Sequence, residues 1–363
     1  MVDGGRLGLA WSEVPTDAGG TAAHRVLAKG TRMTATSWGA ARSAAVLLSA
    51  ALAGALLAPT ASAAVDIPVS DPNISYVGRW DATGDPRVPH WAGAYLQTGF
   101  TGTTVKLKLR NAVNVYTSVD GKPDVFHAGV RGTVDLTPTP LAAGNHTLRV
   151  AFRSGDAVFG GLALDNGART VAFTPSAKVL EFVGDSITAG YLDSKLALSS
   201  YGWLVGEKLG LPRTVIARAG YCLVARSGCV GQAAQFFRTD STGTAGWDFG
   251  RYQAAAVVVN LGTNDIGHGV SESAFQSAYA QFLRDVRAKY PNAAIFAFQT
   301  LKKRYAAQTK AAVAAVGDAR VFFVDTSGWL TTGTDYVDGD GHPNDAGQAK
   351  IADRLAPIIA ARI

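Results

Sequence analysis

The stretch VLEFVGDSIT, residues Val179–Thr188, joins a short apolar run to a turn and then to the start of a helix. Four more short apolar runs follow it, separated by segments with helical periodicity. These runs cover residues 214–217, 255–261, 294–298 and 321–324. Strands that are buried on both faces and alternate with helices form parallel sheets with helices on either side. The sequence therefore predicts a three-layer α/β/α domain over residues 178–363.

Helical periodicity supports this prediction at two places. Phe275, Tyr279, Phe282 and Val286 recur at the spacing of one helix face, and the apolar residues of 351–359 do the same. In such domains, binding sites lie at the carboxyl ends of the strands. Polar residues that directly follow a predicted strand are therefore the first candidates for function.

Residues 66–172 have a different period. The segment Val105–Leu109, VKLKL, alternates apolar and charged residues, and Asp120-Gly121 is a strong hairpin signal. A second strand is predicted to begin at Val113, and others cover 146–152 and 157–164. Glycine and proline punctuate the region and no long helical period appears. We therefore predict an antiparallel β-sandwich domain, of the jelly-roll kind, ahead of the α/β domain.

Composition excludes several function classes. The 363 residues are 47% hydrophobic and 17% charged, which provides for a sizeable core and argues against bulk disorder. A net charge of +6 without a basic run argues against nucleic-acid binding. The chain has two cysteines, too few for a disulfide scaffold or a cysteine-rich zinc module. Its six histidines include no H-x-H or H-E-x-x-H pair, so we expect neither a metal nor another cofactor.

The N-terminal region, residues 1–63, contains a predicted export signal. Residues 44–58 form an uncharged apolar stretch with Arg42 before it and an A-x-A site, Ala61–Ala63, after it. The stretch is too short to span a bilayer comfortably but fits a signal peptide. Met33 stands at the usual distance ahead of it, so we expect translation to start there. The mature protein is predicted to be secreted and free of membrane spans, and we expect it to act as a monomer.

Three motifs converge on the carboxyl edge of the predicted sheet. Ser186 follows the first strand, Asn264 follows the third in Gly262-Thr263-Asn264-Asp265, and His342 follows the fifth in a glycine-rich loop. Each alone has an ordinary explanation: a helix N-cap, an Asx turn and a surface turn. Together they supply a nucleophile, a hydrogen-bond donor for an oxyanion and a base, the parts that acyl transfer requires.

With the sequences G-D-S-I-T, G-T-N-D and H-P-N in this order, the chain resembles the SGNH (GDSL-type) hydrolases over residues 178–361. The resemblance implies a flavodoxin-like α/β/α fold. The β region ahead of them is similar to that of carbohydrate esterase family 2, whose members deacetylate plant polysaccharides. The cues for that second resemblance are residues 78–81, 100–103, 144–148 and 159–161.

The resemblance implies a role for each candidate residue. Ser186 would be the nucleophile and His342 the general base, while the oxyanion donors would be the Ser186 and Gly220 backbone N–H groups and the Asn264 side chain. The family usually has an aspartate three residues before the histidine, where this chain has Gly339. Asp340 matches a D-x-H-P form seen in family 2 and is taken as the triad acid. A backbone carbonyl in its place would leave a Ser–His dyad.

The remaining candidates are less specific. Cys222 and Cys229 follow Gly220 closely and are expected to form a disulfide in an exported chain, the alternative being two buried thiols. Trp80 and Trp91 are better explained by core packing than by sugar stacking. We expect His268 to be a solvated loop residue and His90, His127 and His146 to be structural.

The function that these residues predict is a secreted serine esterase that removes acetyl or other short acyl groups from polysaccharides such as xylan. Two alternatives stay open. The same chemistry would serve a lipase or aryl esterase, although no lid-like amphipathic insertion is evident. The β domain would serve a non-catalytic carbohydrate-binding protein, although such a protein has no need of all three site residues.

Overall fold

The computed structural model describes residues 64–81, 83–153 and 155–363. The predicted signal peptide, its cleavage site and the Met33 start lie outside these residues. Within them, the chain forms an antiparallel β domain followed by an α/β domain, so the predicted fold class is confirmed. The first sheet ends at Val171 and the second begins at Val179.

The β domain consists of eight strands that pair antiparallel. They are β1 (Val65–Ile67), β2 (Ser75–Val77), β3 (Tyr95–Gly102), β4 (Val105–Val119), β5 (Val125–Asp135), β6 (Gly144–Phe152), β7 (Phe159–Leu164) and β8 (Thr170–Val171). The pairing order is β1-β7-β4-β6-β3-β2, with β5 paired to β4 and β8 to β3. Aromatic and aliphatic side chains from most of these strands form one continuous core.

Strand β4 links the two halves of this domain. Sequence alternation predicts separate strands before and after residue 110, but the structure has one strand of 15 residues. Its first half pairs with β7 and its second half with β6, while β5 follows it along both. The predicted turn is confirmed: Asp120 and Gly121 have φ values of 54° and 67°, as a type I′ hairpin requires.

The α/β domain has a five-stranded parallel sheet in the order β10-β9-β11-β12-β13. Its strands are β9 (Val179–Gly184), β10 (Arg213–Ala217), β11 (Ala254–Asn260), β12 (Ala294–Phe298) and β13 (Val321–Val324). The helices are α1 (Ser186–Ala189), α2 (Tyr201–Leu209), α3 (Gln232–Gln235), α4 (Glu272–Lys289), α5 (Ala306–Val316) and α6 (Asp345–Ala360). Short 3₁₀ turns cover Leu196–Leu198, Phe249–Arg251 and Asp265–His268.

Alternation along β11 explains the three layers. Val257 and Val259 pack with the apolar face of α4, whereas Val258 packs on the other side with residues of α2 and α6. Successive side chains of a strand point to opposite faces, so an uninterrupted apolar run is stable only when both faces are covered. The sheet therefore presents only its ends to solvent, and the carboxyl end carries the candidate residues.

The two domains share a buried contact centred on Arg79. Its side chain is fully enclosed, and its guanidinium donates hydrogen bonds of 2.5 Å to the carbonyl oxygens of Phe236 and Arg238. Its Nη2 atom lies 3.9 Å from Oε1 of Glu181, in the middle of β9. Trp80 and Trp91 are buried beside this contact, as the core-packing interpretation predicts.

In the described part of the chain, every helix falls short of the length and apolar character that a membrane span requires.

Candidate active site

Ser186 lies where β9 ends and α1 begins. Asp185, not Ser186, is the N-cap: its side chain accepts a hydrogen bond of 3.0 Å from the Ile187 N–H. The serine hydroxyl is therefore not engaged in capping. Burial raises the pKa of Asp185 to about 6, although the Ile187 N–H bond opposes the shift. Only 6% of the Ser186 surface is exposed.

His342 approaches Ser186 from the loop between β13 and α6. Its Nε2 atom lies 2.9 Å from the serine Oγ, and its Nδ1 atom lies 2.7 Å from Oδ2 of Asp338. An Nδ1–H that donates to the carboxylate leaves the Nε2 lone pair to accept the serine proton. Partial burial would raise the pKa of Asp338, but its hydrogen bonds from His342 outweigh this and hold that pKa below its usual value.

Asp338, rather than the predicted Asp340, is the aspartate that contacts His342 in the structure. The Asp340 carboxylate points to solvent with 75% of its side chain exposed, 3.9 Å from Nζ of Lys302. Gly339 has a φ of 70° and reverses the chain, so that the Asp338 carboxylate folds back to accept from both the backbone N–H and Nδ1 of His342. A Cβ on Gly341 would lie 2.5 Å from Oδ1 of Asp338, which explains the glycine there. A side-chain carboxylate, rather than the alternative backbone carbonyl, thus contacts the imidazole.

Asn264 follows β11 at the same edge of the sheet. Its Nδ2 donates a hydrogen bond of 2.8 Å to the carbonyl oxygen of Tyr221, in the segment after β10. A primary amide nitrogen carries two N–H groups, so one remains for a ligand. The Tyr221 contact fixes the orientation of this amide.

Gly220, whose backbone N–H is predicted to be an oxyanion donor, lies in the turn after β10. Its φ is 80°, in the left-handed region, and a Cβ there would meet no atom within 4 Å. The backbone conformation, rather than crowding, is therefore what favours glycine at this position. The turn brings the chain to Tyr221, whose carbonyl holds Asn264.

The disulfide between Cys222 and Cys229 is present, with a Cα–Cα distance of 5.8 Å. Asp265 also holds the segment that follows Cys222. Its carboxylate accepts hydrogen bonds of 2.8 and 3.0 Å from the N–H groups of Leu223 and Val224. Burial raises the pKa of Asp265 against these bonds. A covalent link and a buried carboxylate therefore hold the loop that begins at Gly220.

One group of described residues has its potential ligand atoms close enough for a metal ion, namely Cys222, Cys229 and His268. Both sulfurs belong to the disulfide and are not thiolates, so they do not suit a metal. His268 is exposed, as predicted.

Sequence reasoning missed two residues that follow α1, and the ring of the first contacts His342. The ring of Tyr191 lies 5.2 Å from the imidazole in an edge-on arrangement, and 38% of this tyrosine is exposed. Asp193, two residues further on, is almost fully buried, and burial followed by the charge of Asp345 raises its pKa to about 8. Neither belongs to a recognisable motif. Their position just after α1, beside the nucleophile, is the one signal that could have found them.

This arrangement can carry out acyl transfer. A hydroxyl within hydrogen-bond reach of an imidazole, which is itself oriented by a carboxylate, is the geometry of an activated serine nucleophile. The Asn264 amide and the turn at Gly220 lie at the same edge of the sheet and offer donors for a developing oxyanion.

Two protein families match this chain. The GDSL-like Lipase/Acylhydrolase family matches residues 182–350, and the family described as Carbohydrate esterase 2 N-terminal matches residues 76–173. The first match ends just after the antiparallel sheet, and the second begins within β9, the first strand of the parallel sheet.

Similar proteins span both domains. Cellulase/esterase CelE from Acetivibrio thermocellus is 27% identical over 323 residues, which cover 80% of this chain but only 39% of that protein. An acetylxylan esterase / glucomannan deacetylase from Cellvibrio japonicus is 25% identical over 258 residues, or 63% of this chain and 72% of that protein.

A solved structure agrees with these matches. A family two carbohydrate esterase from Clostridium thermocellum, in complex with cellohexaose, is 26% identical with a TM-score of 0.69 over 79% of this chain and 98% of that chain. The chain therefore combines a region that matches the carbohydrate esterase 2 N-terminal family with a region that matches the GDSL-like lipase/acylhydrolase family, and the solved structure similar to both is a family two carbohydrate esterase.

Proposed function

We propose that this protein is a serine esterase that removes acetyl groups from a polysaccharide. The observation that carries the proposal is the continuous hydrogen-bond chain from Ser186 Oγ through His342 to Asp338, with distances of 2.9 and 2.7 Å. A protein that only binds carbohydrate gains nothing from a polarised serine. The relatives named as acetylxylan esterases support the acetyl group and the polysaccharide.

In the acylation step, Ser186 Oγ attacks the acetyl carbonyl carbon while its proton passes to Nε2 of His342. Asp338 positions the imidazole and stabilises the imidazolium cation. The carbonyl oxygen becomes an oxyanion that accepts hydrogen bonds from the Ser186 and Gly220 N–H groups and from the second N–H of Asn264. The imidazolium then gives its proton to the sugar oxygen as the C–O bond breaks, and the acetyl group stays on Ser186.

In the deacylation step, a water molecule takes the place of the released sugar. His342 accepts a proton from it, and the resulting hydroxide attacks the acetyl-serine carbonyl. The oxyanion forms again at the same donors, and the proton returns to Ser186 Oγ as acetate leaves. Proton transfer in both steps uses groups of this chain.

The comparisons support a glycan as the alcohol part of the ester, because a similar structure holds cellohexaose. We further propose that the protein acts outside the cell, as a monomer. The predicted signal in residues 44–63 supports export. N-terminal sequencing of the protein from culture medium should give Ala64 as the first residue, and light scattering should give the mass of one chain.

The test is release of acetate from acetylated xylan and acetylated glucomannan by the wild type and by Ser186→Ala. The wild type should release acetate, and the variant should release none above background while melting at the same temperature. p-Nitrophenyl esters of increasing acyl length measure acyl selectivity in parallel. Faster hydrolysis of long-chain than of acetyl esters would favour a lipase, and no release by the wild type from any ester would contradict an enzyme.

A further inference from the structure

The described residues include eight large apolar side chains that are clearly exposed. Most belong to segments at the carboxyl edge of the parallel sheet: Tyr191 and Leu192 after α1, Val230 just after Cys229, Ile266 after Asn264, and Val337 before Asp338. Ile358 is on α6, away from this edge. The remaining two, Val125 and Phe126, lie at the start of β5 in the other domain.

Phe126 belongs to an aromatic pair. It lies directly opposite Tyr116 in the β4–β5 register, and the two ring centroids are 4.8 Å apart with 30° between their planes. Tyr116 is buried, whereas 45% of Phe126 is exposed. The Arg153 guanidinium lies 5.7 Å from the Phe126 ring, and Nζ of Lys195 lies 5.2 Å from the Tyr116 ring. We call Tyr116 and Phe126, with these two cations, the aromatic platform.

The platform continues a face of the β domain that is otherwise covered by the α/β domain. On that face, Tyr116 and Tyr95 pack with Ala197, Leu198 and Trp203. Phe126 lies one strand beyond Tyr116, where the covering ends. The exposed Phe126 ring, packed against Tyr116, therefore offers a flat aromatic surface to a ligand at the rim of this interface.

The platform is joined to the candidate active site. Tyr191 contacts His342, and Lys195 follows four residues later, at most about 14 Å along the chain. The N–H of Ser194 donates to Asp345, three residues after His342, at 2.9 Å. Burial raises the pKa of Tyr116, the charge of Arg153 opposes the shift, and the carboxylates of Asp124 and Asp345 add to it.

We propose that the aromatic platform is a distal subsite for the main chain of a polysaccharide whose acetyl group reaches Ser186. This inference rests on the proposed function and extends it from the ester to the polymer. An aromatic face suits the apolar face of a pyranose, and guanidinium and ammonium donors at its edge suit the hydroxyl groups. The occupant is a neutral glycan several sugars long, so long substrates contact both domains and small esters contact only the serine side.

The test is binding of unacetylated xylan, glucomannan and their oligosaccharides to Ser186→Ala, measured by affinity electrophoresis and calorimetry. Phe126→Ala, Phe126→Leu and Phe126→Tyr are compared in this background, with Ile358→Ala as an exposed apolar control. Phe126→Ala should weaken binding of long oligosaccharides by about three- to tenfold, as expected for loss of one aromatic contact. Phe126→Tyr should retain the affinity, Phe126→Leu should lose most of it, and Ile358→Ala should be unchanged.

Kinetics in the active enzyme give a second readout. Phe126→Ala should raise KM for acetylated polymer more than for p-nitrophenyl acetate, and the ratio should grow with chain length. Equal binding by all variants, or equal losses on the polymer and the small ester, would overturn the subsite. Full affinity in Phe126→Leu together with binding to phosphatidylcholine vesicles would identify a lipid surface instead. Because binding is measured without turnover, failure of the esterase proposal would show separately, as absence of acetate release by the wild type.

Discussion

Strand β9 contributes to two charged networks with opposite surroundings. In its middle, Glu181 and its partner Arg79 have no exposed side-chain surface. Just past its end, Ser186 begins a network whose His342 and Asp338 side chains are 22% and 46% exposed. Five positions along the chain therefore lead from an enclosed ion pair to a hydrogen-bonded serine, histidine and aspartate that water and substrate can reach.

The two networks differ in the free energy that a change of charge requires. An enclosed ion pair has lost its hydration on both sides, so removing Arg79 leaves the Glu181 charge with only the hydroxyl groups of Thr214, Tyr252 and Tyr290 and without a counter-ion. An imidazole at the surface can gain and lose a proton during each turnover, because solvent and a single carboxylate compensate it. We infer that the first network holds the two domains together and the second performs the chemistry.

The largest effect is expected at Asp338. Asp338→Asn removes the charge that stabilises the imidazolium and permits the wrong tautomer, so kcat on an acetyl ester should fall by about 10⁴-fold. The free energy of unfolding should change little, because the carboxylate is half exposed. Asp340→Asn is the matched control and should stay within about threefold of wild type, a barrier change under ~1 kcal/mol. A severe defect in Asp340→Asn with a mild one in Asp338→Asn would reverse the assignment.

Arg79→Met should show the opposite pattern. It leaves Glu181 buried without its cation and should lower the free energy of unfolding by about 3–5 kcal/mol, measured by urea denaturation. kcat of the folded fraction should remain close to that of wild type. The double variant Arg79→Met/Glu181→Gln removes both charges and should recover part of the stability. A loss of kcat without a loss of stability would contradict the division between the networks.

The disulfide is expected to affect both the free energy of unfolding and kcat. Replacing Cys222 and Cys229 by serine should reduce the free energy of unfolding by about 2–3 kcal/mol, because a short loop is no longer closed in the unfolded chain. The same change should lower kcat, since the loop begins at Gly220 and its neighbour Tyr221 holds Asn264. Reduction of the wild type with dithiothreitol should reproduce both effects, and should leave the double variant unchanged.

The smallest effect is expected at Asp193, whose contribution to the free energy of unfolding depends on pH. Its folded-state pKa of about 8 lies above the ordinary aspartate value near 4, so between these pH values the folded protein holds a proton that the unfolded chain releases. The free energy of unfolding should therefore fall as the pH rises from about 4 to about 8. Asp193→Asn should flatten this slope and stabilise the protein at pH 8 by about 1–2 kcal/mol.

Thermal melting of the wild type and Asp193→Asn across this pH range checks the slope. Asp353→Asn, which alters an exposed carboxylate paired with Lys208, serves as the control and should leave the slope unchanged. A wild-type stability that rises steadily from pH 4 to pH 8, with no difference in Asp193→Asn, would contradict the buried proton.

The fold could be predicted from the sequence because its periods are local. The apolar runs of β9 to β13 agree with the observed strands to within a residue or two, since buried parallel strands need uninterrupted apolar side chains. Ser186, Asn264 and His342 could be placed together for the same reason, because each follows a parallel strand. The continuity of β4 could not be predicted, because residues 110–114 break the alternation, and the strand passes through an irregularity in its register with β5 at the same place before the pairing resumes.

The acid could not be predicted because it depends on backbone conformation rather than on spacing. Asp338 and Asp340 have the same side chain and nearly the same distance to His342 in sequence. The positive φ of Gly339 and the absent Cβ of Gly341 decide which carboxylate folds back. Arg79 and Phe126 were missed because their roles arise from contacts between segments far apart in the chain, which no local pattern records.

The bond between Asp338 and His342 has a consequence for how this site can be built and moved. The two side chains lie within five consecutive residues, 338–342. The Asp338 carboxylate accepts hydrogen bonds from both the backbone N–H and the ring of His342. Only the contact to Ser186 spans a long sequence separation, 156 residues. The acid and the base therefore belong to one short loop. A shift of this loop would move Asp338 and His342 together and leave the histidine in the same tautomer. An engineer who grafts this loop onto another α/β scaffold has a single distance to restore, the one to the serine.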